Sequence, residues 1–279
     1  KPVIASEAKQ SHWYTENYRD CFVASLLAMT KCVTPGIKRL FILRQNISLS
    51  GVQVIIVDDC SDDGTDNILN KLSEDLPSED LFQWIFLRHN RNFGKGRAIK
   101  TALEKATGEI TIIHDGDLEY NPADMFNIIS LFIETNADVV YGSRFFPGNY
   151  SGNVMFYHRI GNKFLTLLCN LITALKLTDM ETCYKAIKTD ILKSIPIESN
   201  DFCFEAEITI KLAGRGINIL EVPISYRGRN YREGKKISYK DGIKTLIAII
   251  KYGYPVIYNN LYPSHTLSEL SYIYEEFVS

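Results

Sequence analysis

The sequence has no surplus of positive charge, no paired cysteines and no long apolar run, and each shortage excludes a class of protein. Its 31 lysines and arginines are outnumbered by 33 aspartates and glutamates, leaving a formal charge of -2. A nucleic-acid partner needs a basic footprint over much of the surface. The charge balance therefore argues against a nucleic-acid protein, and any polyanion has to be met locally. The six cysteines, Cys21, Cys32, Cys60, Cys169, Cys183 and Cys203, form no C-x-x-C pair and no metal-ligand spacing. That pattern points to free thiols in a reducing cytosol. No apolar stretch approaches the roughly 20 residues of a membrane span. Residues 164–175 are interrupted by Asn170, and residues 245–250 are bounded by Lys251. Residues 1–10 lack the apolar centre of a signal peptide. There is no internal repeat, linker or low-complexity segment. With 279 residues, 46% of them hydrophobic, the chain can bury one large core or two small ones.

What the chain does have is alternation. Residues 52–58, 82–87, 109–114, 138–142 and 217–225 read as strands, and the first and third are nearly unbroken β-branched runs. Such runs suit strands buried on both faces. Between them lie apolar residues at helical spacing: Ile68, Leu69 and Leu72; Ala98, Ile99, Ala102, Leu103 and Ala106; Met125, Ile128, Ile129 and Phe132. Longer helices are expected over 160–175 and over 205–213, the latter stopping at Gly214 and Gly216. Strand and helix in alternation predict an α/β fold with a mostly parallel central sheet flanked by helices.

Ligands of open α/β sheets bind beyond the carboxyl ends of the strands, and acidic residues gather there. Asp58, Asp59, Asp62 and Asp63 follow one strand, and Asp115 and Asp117 follow another. A helix cap at Ser61, Asp62 or Asp63 accounts for part of the first cluster. It leaves Asp58 and Asp59 unexplained, and two carboxylates on a buried strand are costly without partners, which favours a polar ligand. In HDGDLEY, Gly116 permits a sharp turn that lets Asp115 and Asp117 converge on a hard cation such as Mg2+ or Mn2+. A turn capping a helix that begins at Pro122 is the competing reading.

Two basic stretches complete the pattern. In HNRNFGKGRAIKTAL, Gly94 and Gly96 permit close backbone approach, while Lys95 and Arg97 bring positive charge to a helix start where a phosphate can sit. A glycine-bearing turn with solvated charges explains the same letters. It is not a Walker loop. From Tyr226 to Lys244, Arg227, Arg229, Arg232, Lys235, Lys236, Lys240 and Lys244 outnumber Glu233 and Asp241. Charge runs are usually solvated faces, but glycines and tyrosines among these make a mobile flap over a diphosphate the favoured reading. Arg144 and Arg159 are further candidate anion ligands.

VIIVDDCSDDGT, NRNFGKGRAIKTAL, HDGDLEYNP, YGSR, TDMETCYKAI, FCFEAEI, EVPISYRGRNYREGKKI and YKDG together resemble the successive motifs of family 2 glycosyltransferases. They are most similar to the dolichyl-phosphate and polyprenyl-phosphate sugar synthases. The resemblance runs in order over about residues 52–252, which is far more specific than any one motif. It implies a single GT-A, Rossmann-like domain over 51–253, followed by a tail over 254–279. It also implies inverting transfer from a nucleoside-diphosphate sugar to a polyprenyl phosphate, with Mg2+ or Mn2+ as cofactor. By the same resemblance, Asp58 and Asp59 hold base and ribose, Asp115 and Asp117 hold the metal, and Glu119 lies near the sugar. Arg144 and Arg159 then meet the acceptor phosphate, and Thr182, Tyr184, Lys185 and Glu205 shape the sugar and acceptor side; from the two basic stretches, Lys95, Arg229, Lys235 and Lys236 are the candidates for the donor's phosphates. Buried packing is an equal reading for Tyr184.

The resemblance has one gap. The family opens with a strand ending in V-I-P-x-Y-N-E, and no such motif occurs here. Residues 1–50 instead carry SEAKQSHWYTENYRDCFVASLLAMT, which resembles a translated bacterial palindromic repeat inserted in place of the first strand. Residues 22–29 remain candidates for a strand or helix against the sheet, without the motif's chemistry. Three functions follow: a cytoplasmic glycosyltransferase peripheral to the membrane, a sugar nucleotidyltransferase, and an inactive remnant. The second normally has a glycine-rich basic loop after its first strand, and none is visible. Tyr252, Tyr254, Pro255, Tyr258 and Tyr262 beside Lys251 are candidates for a lipid interface, or for packing a C-terminal tail.

Overall fold

The β-branched runs form strands because their side chains fill both sides of a sheet, and the helices between them pack their apolar stripes onto it. The structure, a computed structural model, describes residues 21–27, 51–75, 82–116, 119–148, 156–228 and 239–261. In chain order the elements are β1 (Cys21–Leu27), β2 (Val52–Asp58), α1 (Thr65–Asp75), β3 (Phe82–Arg88), α2 (Lys95–Leu103), β4 (Ile110–His114), α3 (Asp124–Thr135) and β5 (Val139–Ser143). Then follow α4 (Phe156–Thr173), β6 (Lys185–Lys188), α5 (Thr189–Ser194), α6 (Phe204–Gly214), β7 (Leu220–Pro223) and α7 (Tyr239–Leu261).

The strands form one sheet in the order β3-β2-β1-β4-β6-β5-β7. Pairing is parallel for β3 with β2, β2 with β1, β1 with β4 and β5 with β7. β6 runs antiparallel to both of its neighbours, β4 and β5. Every residue of β4 and β5 is buried, as are Val54, Ile55, Ile56 and Val57 of β2. Ala98, Ile99, Ala102 and Leu103 of α2 and Met125, Ile128, Ile129 and Phe132 of α3 complete the core at the predicted spacing. The expected strand over 217–225 contracts to Leu220–Pro223; Pro223 has no N–H to extend a ladder.

Two topological features position the site. From β1 the sheet grows towards β2 and β3 on one side and towards β4 on the other, so the strand order reverses at the β1/β4 boundary. In an open α/β sheet, ligands bind at such a reversal. The reversed direction of β6 places its first residue, Lys185, opposite Ile113 and Tyr141. The loop preceding β6 is thereby delivered to the carboxyl ends of β4 and β5.

Cys21–Leu27 lies at the sheet's centre, hydrogen-bonded to β2 and β4 with an irregularity between Ala24 and Leu26. The sheet thus draws on residues before position 51, and α7 continues past position 253 to Leu261. A central strand donates and accepts on both edges, so proline within it orphans a buried carbonyl and clashes sterically. Val23→Pro is expected to cost at least about 1–3 kcal/mol for the orphaned carbonyl alone, read as a lower denaturant midpoint. An unchanged midpoint would show that this segment does not hold the sheet together.

Candidate active site

At the tip of β4 the buried run ITIIH gives way to Asp115, and Lys95 of α2 reaches it from the side. The Lys95 ammonium donates to Asp115 Oδ2 at 3.0 Å and lies 2.9 Å from Oδ1. It also stands 2.7 Å from Glu205 Oε1, at the start of α6, while Lys185 Nζ stands 2.6 Å from Glu205 Oε2. Lys185 donates further to the carbonyls of Met180 and Thr182. The result is a row of alternating charge, Asp115, Lys95, Glu205 and Lys185, of which only Asp115 has substantial exposure, at 22% of its side chain. Burial opposes ionisation of Asp115, but Lys95 overrides it and holds the carboxyl below its usual range. Burial also opposes the Lys95 ammonium, and Asp115 and Glu205 hold it charged, well above its ordinary value.

This geometry revises both readings of the glycine stretch. Lys95 is neither a solvated charge nor an exposed phosphate ligand. The amides of Phe93 and Gly94, expected to meet a phosphate, donate at 2.9 and 2.7 Å to the Asp59 carboxylate, whose Oδ1 also lies 2.6 Å from His89 Nδ1. An internal anion occupies that place. Gly94 has φ 95°, and a Cβ there would fall 2.5 Å from the Asn200 carbonyl oxygen. The glycine therefore admits the 199–200 backbone, which accepts the Arg97 amide at 3.1 Å. Asp58 accepts the Ser61 amide at 2.9 Å and has Arg88 at 3.4 Å, yet its buried Oδ2 has no hydrogen bond. Asp63 takes the amide and hydroxyl of Thr65 as α1 begins, the capping part of that cluster.

Beyond β5, Arg144 is buried and gripped by Asp179: its amide, Nε and Nη2 donate at 2.9, 2.7 and 2.7 Å. Burial disfavours the guanidinium, and Asp179 overrides this to hold it well above its ordinary value. Arg144 thus anchors a loop, where an open anion ligand was expected. Arg159 is exposed on α4, 5.7 Å from the Phe145 ring centre. Glu119 accepts the Tyr226 hydroxyl at 2.6 Å, and its carbonyl accepts the Arg227 amide. The basic segment therefore starts from a buried anchor, and Lys240 and Lys244 belong to α7. Asp117, Arg229, Lys235 and Lys236 lie outside the described residues.

Buried polar groups without hydrogen bonds are rare in folded proteins. Among the described residues they include His114 Nδ1, Glu181 Oε1 and Thr182 Oγ1 around the tip of β4 and the loop before β6, where a polar ligand or water can satisfy them, and Asp58 Oδ2 and Trp84 Nε1 on β2 and β3. Asp115 Oδ1 and both Glu205 oxygens also lack a hydrogen bond but face an ammonium at 2.9, 2.7 and 2.6 Å. The Tyr184 hydroxyl is likewise unsatisfied, although the ring is fully buried among His114 and Tyr120. Glu181 and Asp179 were not singled out in the sequence; both lie in the TDMETCYKAI motif, and their acidity beside Lys185 was the available signal. Among the described residues no three His, Cys, Asp or Glu side chains converge to hold a metal. Asp115 is the described residue that the sequence pattern assigns to Mg2+ or Mn2+, and Lys95 stands within 3.0 Å of both of its carboxylate oxygens. A cation there depends on further oxygens, from Asp117 or from a bound diphosphate.

Burial and then Glu205 push the Glu181 carboxyl up to about 7. The folded state consequently binds a proton that the unfolded chain has already lost, and stability falls as pH rises through that interval. Wild-type protein is expected to lose melting temperature between about pH 5 and 7, and Glu181→Gln to lose less. Identical profiles in scanning calorimetry would remove Glu181 from this titration.

Residues 39–195 match the family described as Glycosyl transferase family 2. An uncharacterized protein of Methanocaldococcus jannaschii is 27% identical over 62% of this chain and 76% of its own length. The polyprenol monophosphomannose synthase of Mycolicibacterium smegmatis is 22% identical over 64% of this chain and 68% of its own. The dolichol-phosphate mannosyltransferase of Pyrococcus furiosus is 24% identical over 66% of this chain, a match spanning about half of that enzyme, 52%. Among solved structures, glucosyl-3-phosphoglycerate synthase from Mycobacterium tuberculosis with UDP superposes with a TM-score of 0.60 at 15% identity, over 85% of this chain and 80% of that one. The same enzyme with Mn2+, UDP and phosphoglyceric acid gives 0.60 at 14% identity, over 85% and 78%. A match over more than half of the chain, together with this architecture, places the protein in glycosyltransferase family 2, with a GT-A fold.

Proposed function

We propose that this protein is an inverting glycosyltransferase that moves a sugar from a nucleoside-diphosphate sugar to a polyprenyl phosphate at the cytoplasmic face of a membrane. The observation that carries the lipid acceptor is the outer face of α4 and α7, two helices packed against each other. On α4, Ile160, Phe164, Leu167 and Leu171 stand more than half exposed at intervals of four, three and four residues. On α7, Ile243, Ile247 and Ile250 do the same, and Tyr239 and Tyr254 extend the stripe at its ends. Apolar surface of this extent marks an interaction site. The two helices carry Arg159, Lys163, Lys240, Lys244 and Lys251 against one carboxylate, Asp241, although the whole chain is net negative. Lys244 and Lys251 reach back to Asp201 and Glu198, and Asp241 offsets Lys240 at the start of α7, leaving the basic balance on α4 with Arg159 and Lys163. An apolar face edged with cations suits an anionic lipid surface. Tyr252, grouped with the interface tyrosines by sequence, is buried instead, and Tyr262 lies outside the described residues.

The stripe begins beside the strand tips, since Arg159 lies over Phe145 next to the Arg144–Asp179 pair. Arg159 is therefore the cation we assign to the acceptor phosphate, with Arg144 fixing the loop beneath it. Asp58, with an unsatisfied oxygen, meets the donor's base, and Asp59 orders the adjoining loop. Glu119 and Glu205 border the sugar, and Arg229, Lys235 and Lys236 meet the diphosphate. Asp115 and Asp117 would hold Mg2+ or Mn2+, which supplies charge neutralisation for the departing nucleoside diphosphate. An acceptor phosphate oxygen attacks the anomeric carbon as the bond to the diphosphate breaks, and the nucleoside diphosphate leaves with the electron pair. The nucleophile is already anionic, so no proton has to be removed.

Purified protein, Mn2+, UDP- or GDP-sugars and a short polyprenyl phosphate are expected to yield glycolipid and free nucleoside diphosphate. Pyrophosphate as product would indicate a nucleotidyltransferase. No turnover of any donor would indicate the inactive remnant, and transfer only to water-soluble acceptors would overturn the lipid assignment.

In a second test, the protein should sediment with vesicles containing anionic phospholipid, and the double variant Leu171→Asp/Ile247→Asp should bind at least about tenfold more weakly, given the cost of charge at an apolar interface. Equal binding by that variant, or self-association through this face in light scattering without lipid, would refute membrane docking.

A further inference from the structure

The row Asp115, Lys95, Glu205 and Lys185 carries no net charge, and every member has an oppositely charged neighbour within 3.0 Å. Asp115, the group that a divalent ion would need, is already neutralised by an ammonium almost wholly buried beside it. That ammonium lies 2.9 Å from Oδ1 and 3.0 Å from Oδ2, so it engages both carboxylate oxygens at once. On its other side Lys95 has a second carboxylate, Glu205, at 2.7 Å.

We infer that Lys95 is the resident counter-ion of Asp115, which a divalent cation must displace, and that Glu205 is where the displaced ammonium is kept. The inference rests on Asp115 being a metal ligand and goes beyond that assignment. A divalent ion on an Asp115 oxygen would stand within a few ångströms of Lys95, and like charges at that range in a water-poor site repel strongly. Moving the lysine into solvent would leave Glu205 buried with Lys185 alone. Nζ already touches Glu205 at 2.7 Å, so it can release Asp115 and keep that contact, which leaves each carboxylate paired. Even so, the four side chains have no spare negative charge for the incoming ion, which therefore has to bring an anion with it. A nucleoside diphosphate is such an anion. Metal and nucleotide consequently bind as a cooperative pair, each raising the other's affinity by the same factor, and the metal alone binds weakly.

The test is Mn2+ binding by the full chain, followed by electron paramagnetic resonance of the free ion, alone and then with UDP or GDP. Wild type is expected to bind Mn2+ at least about tenfold more tightly with one of these nucleotides than without, in line with ordinary coupling between sites. Lys95→Met should tighten nucleotide-free binding by a similar factor and lose most of the enhancement, and Lys95→Arg should keep the wild-type pattern. Glu205→Gln should weaken Mn2+ binding with or without nucleotide, because the lysine then has Asp115 as its sole carboxylate. Thermal melts establish that each variant is folded. Should Lys95→Met fail to fold, Glu205→Gln carries the test, and unchanged or tighter Mn2+ binding by it overturns the inference. Folded Lys95→Met with unchanged or weaker nucleotide-free binding overturns it equally. Asp115→Asn separates this from the underlying reading. If Asp115→Asn binds Mn2+ as wild type does, the metal assignment itself falls; if it abolishes binding while Lys95→Met changes nothing, only the counter-ion role falls.

Discussion

Two carboxylates and two ammonium groups at the tip of β4, all but Asp115 taken almost entirely out of water, are the constraint around which the rest of the structure is arranged. Desolvating such groups costs several kcal/mol each, and their mutual attraction repays this only with close, alternating geometry. The alternation needs one charge from each of four places: Asp115 after β4, Lys95 at the start of α2, Glu205 at the start of α6 and Lys185 at the start of β6. Packed apolar residues would hold these elements together at least as well, because buried ion pairs are a poor source of stability. Charge at this place is better understood as pre-set electrostatics for a charged ligand. His114 Nδ1, Glu181 Oε1 and Thr182 Oγ1, buried without hydrogen bonds around the same tip, support that view.

The reversed strand β6 makes the arrangement possible. A parallel strand beside β4 would carry its first residue to the far end of the sheet and its last residue to the ligand end. Running the other way, β6 starts at the ligand end and presents the preceding loop there, with Asp179 gripping Arg144, Lys185 fastening the carbonyls of Met180 and Thr182, and Glu181 left unpaired at Oε1. The chain thereby gains a rigid, charged wall across the point where strand order changes. The same wall explains why Arg144 serves as an anchor: its planar fork matches one carboxylate bidentately, leaving little of it to meet a substrate.

The core strands were legible because their side chains face apolar surroundings on both sides, which only β-branched and aliphatic runs satisfy; residues 52–58 form the strand at the boundaries read from the sequence. β6 was not legible. Four residues, two of them lysines, give no periodicity, and the burial of Lys185 follows from a charge partner 20 residues later. The family and the GT-A fold could be read because eight ordered motifs constrain each other more than any single spacing does. The destinations of single charges could not. Asp59 and Lys95 stand where a ligand was expected, and each has found a partner inside the protein, since local sequence cannot tell an amide free for phosphate from one already taken by a carboxylate. The apolar outer face of α4 and α7 was hidden for a related reason. Helical periodicity marks an apolar side, but these helices are apolar on two sides, one packed and one not.

Cys21–Leu27 shows how far fold and chemistry can part. A strand between β2 and β4 must supply backbone hydrogen bonds on both edges and residues compatible with burial, and CFVASLL meets that description without any particular identity. The demands at a strand tip are of another kind. There a ligand is recognised by specific polar groups at fixed positions, and residues 28–35, directly after Leu27, include none of the tyrosine, asparagine or glutamate that the family pattern places at the end of its first strand. Generic requirements tolerate replacement of a segment and specific ones do not. A sheet can therefore close through β1 on backbone pairing to β2 and β4, while the charged groups of the site come from the neighbouring tips, Asp58 at the end of β2 and Asp115 after β4.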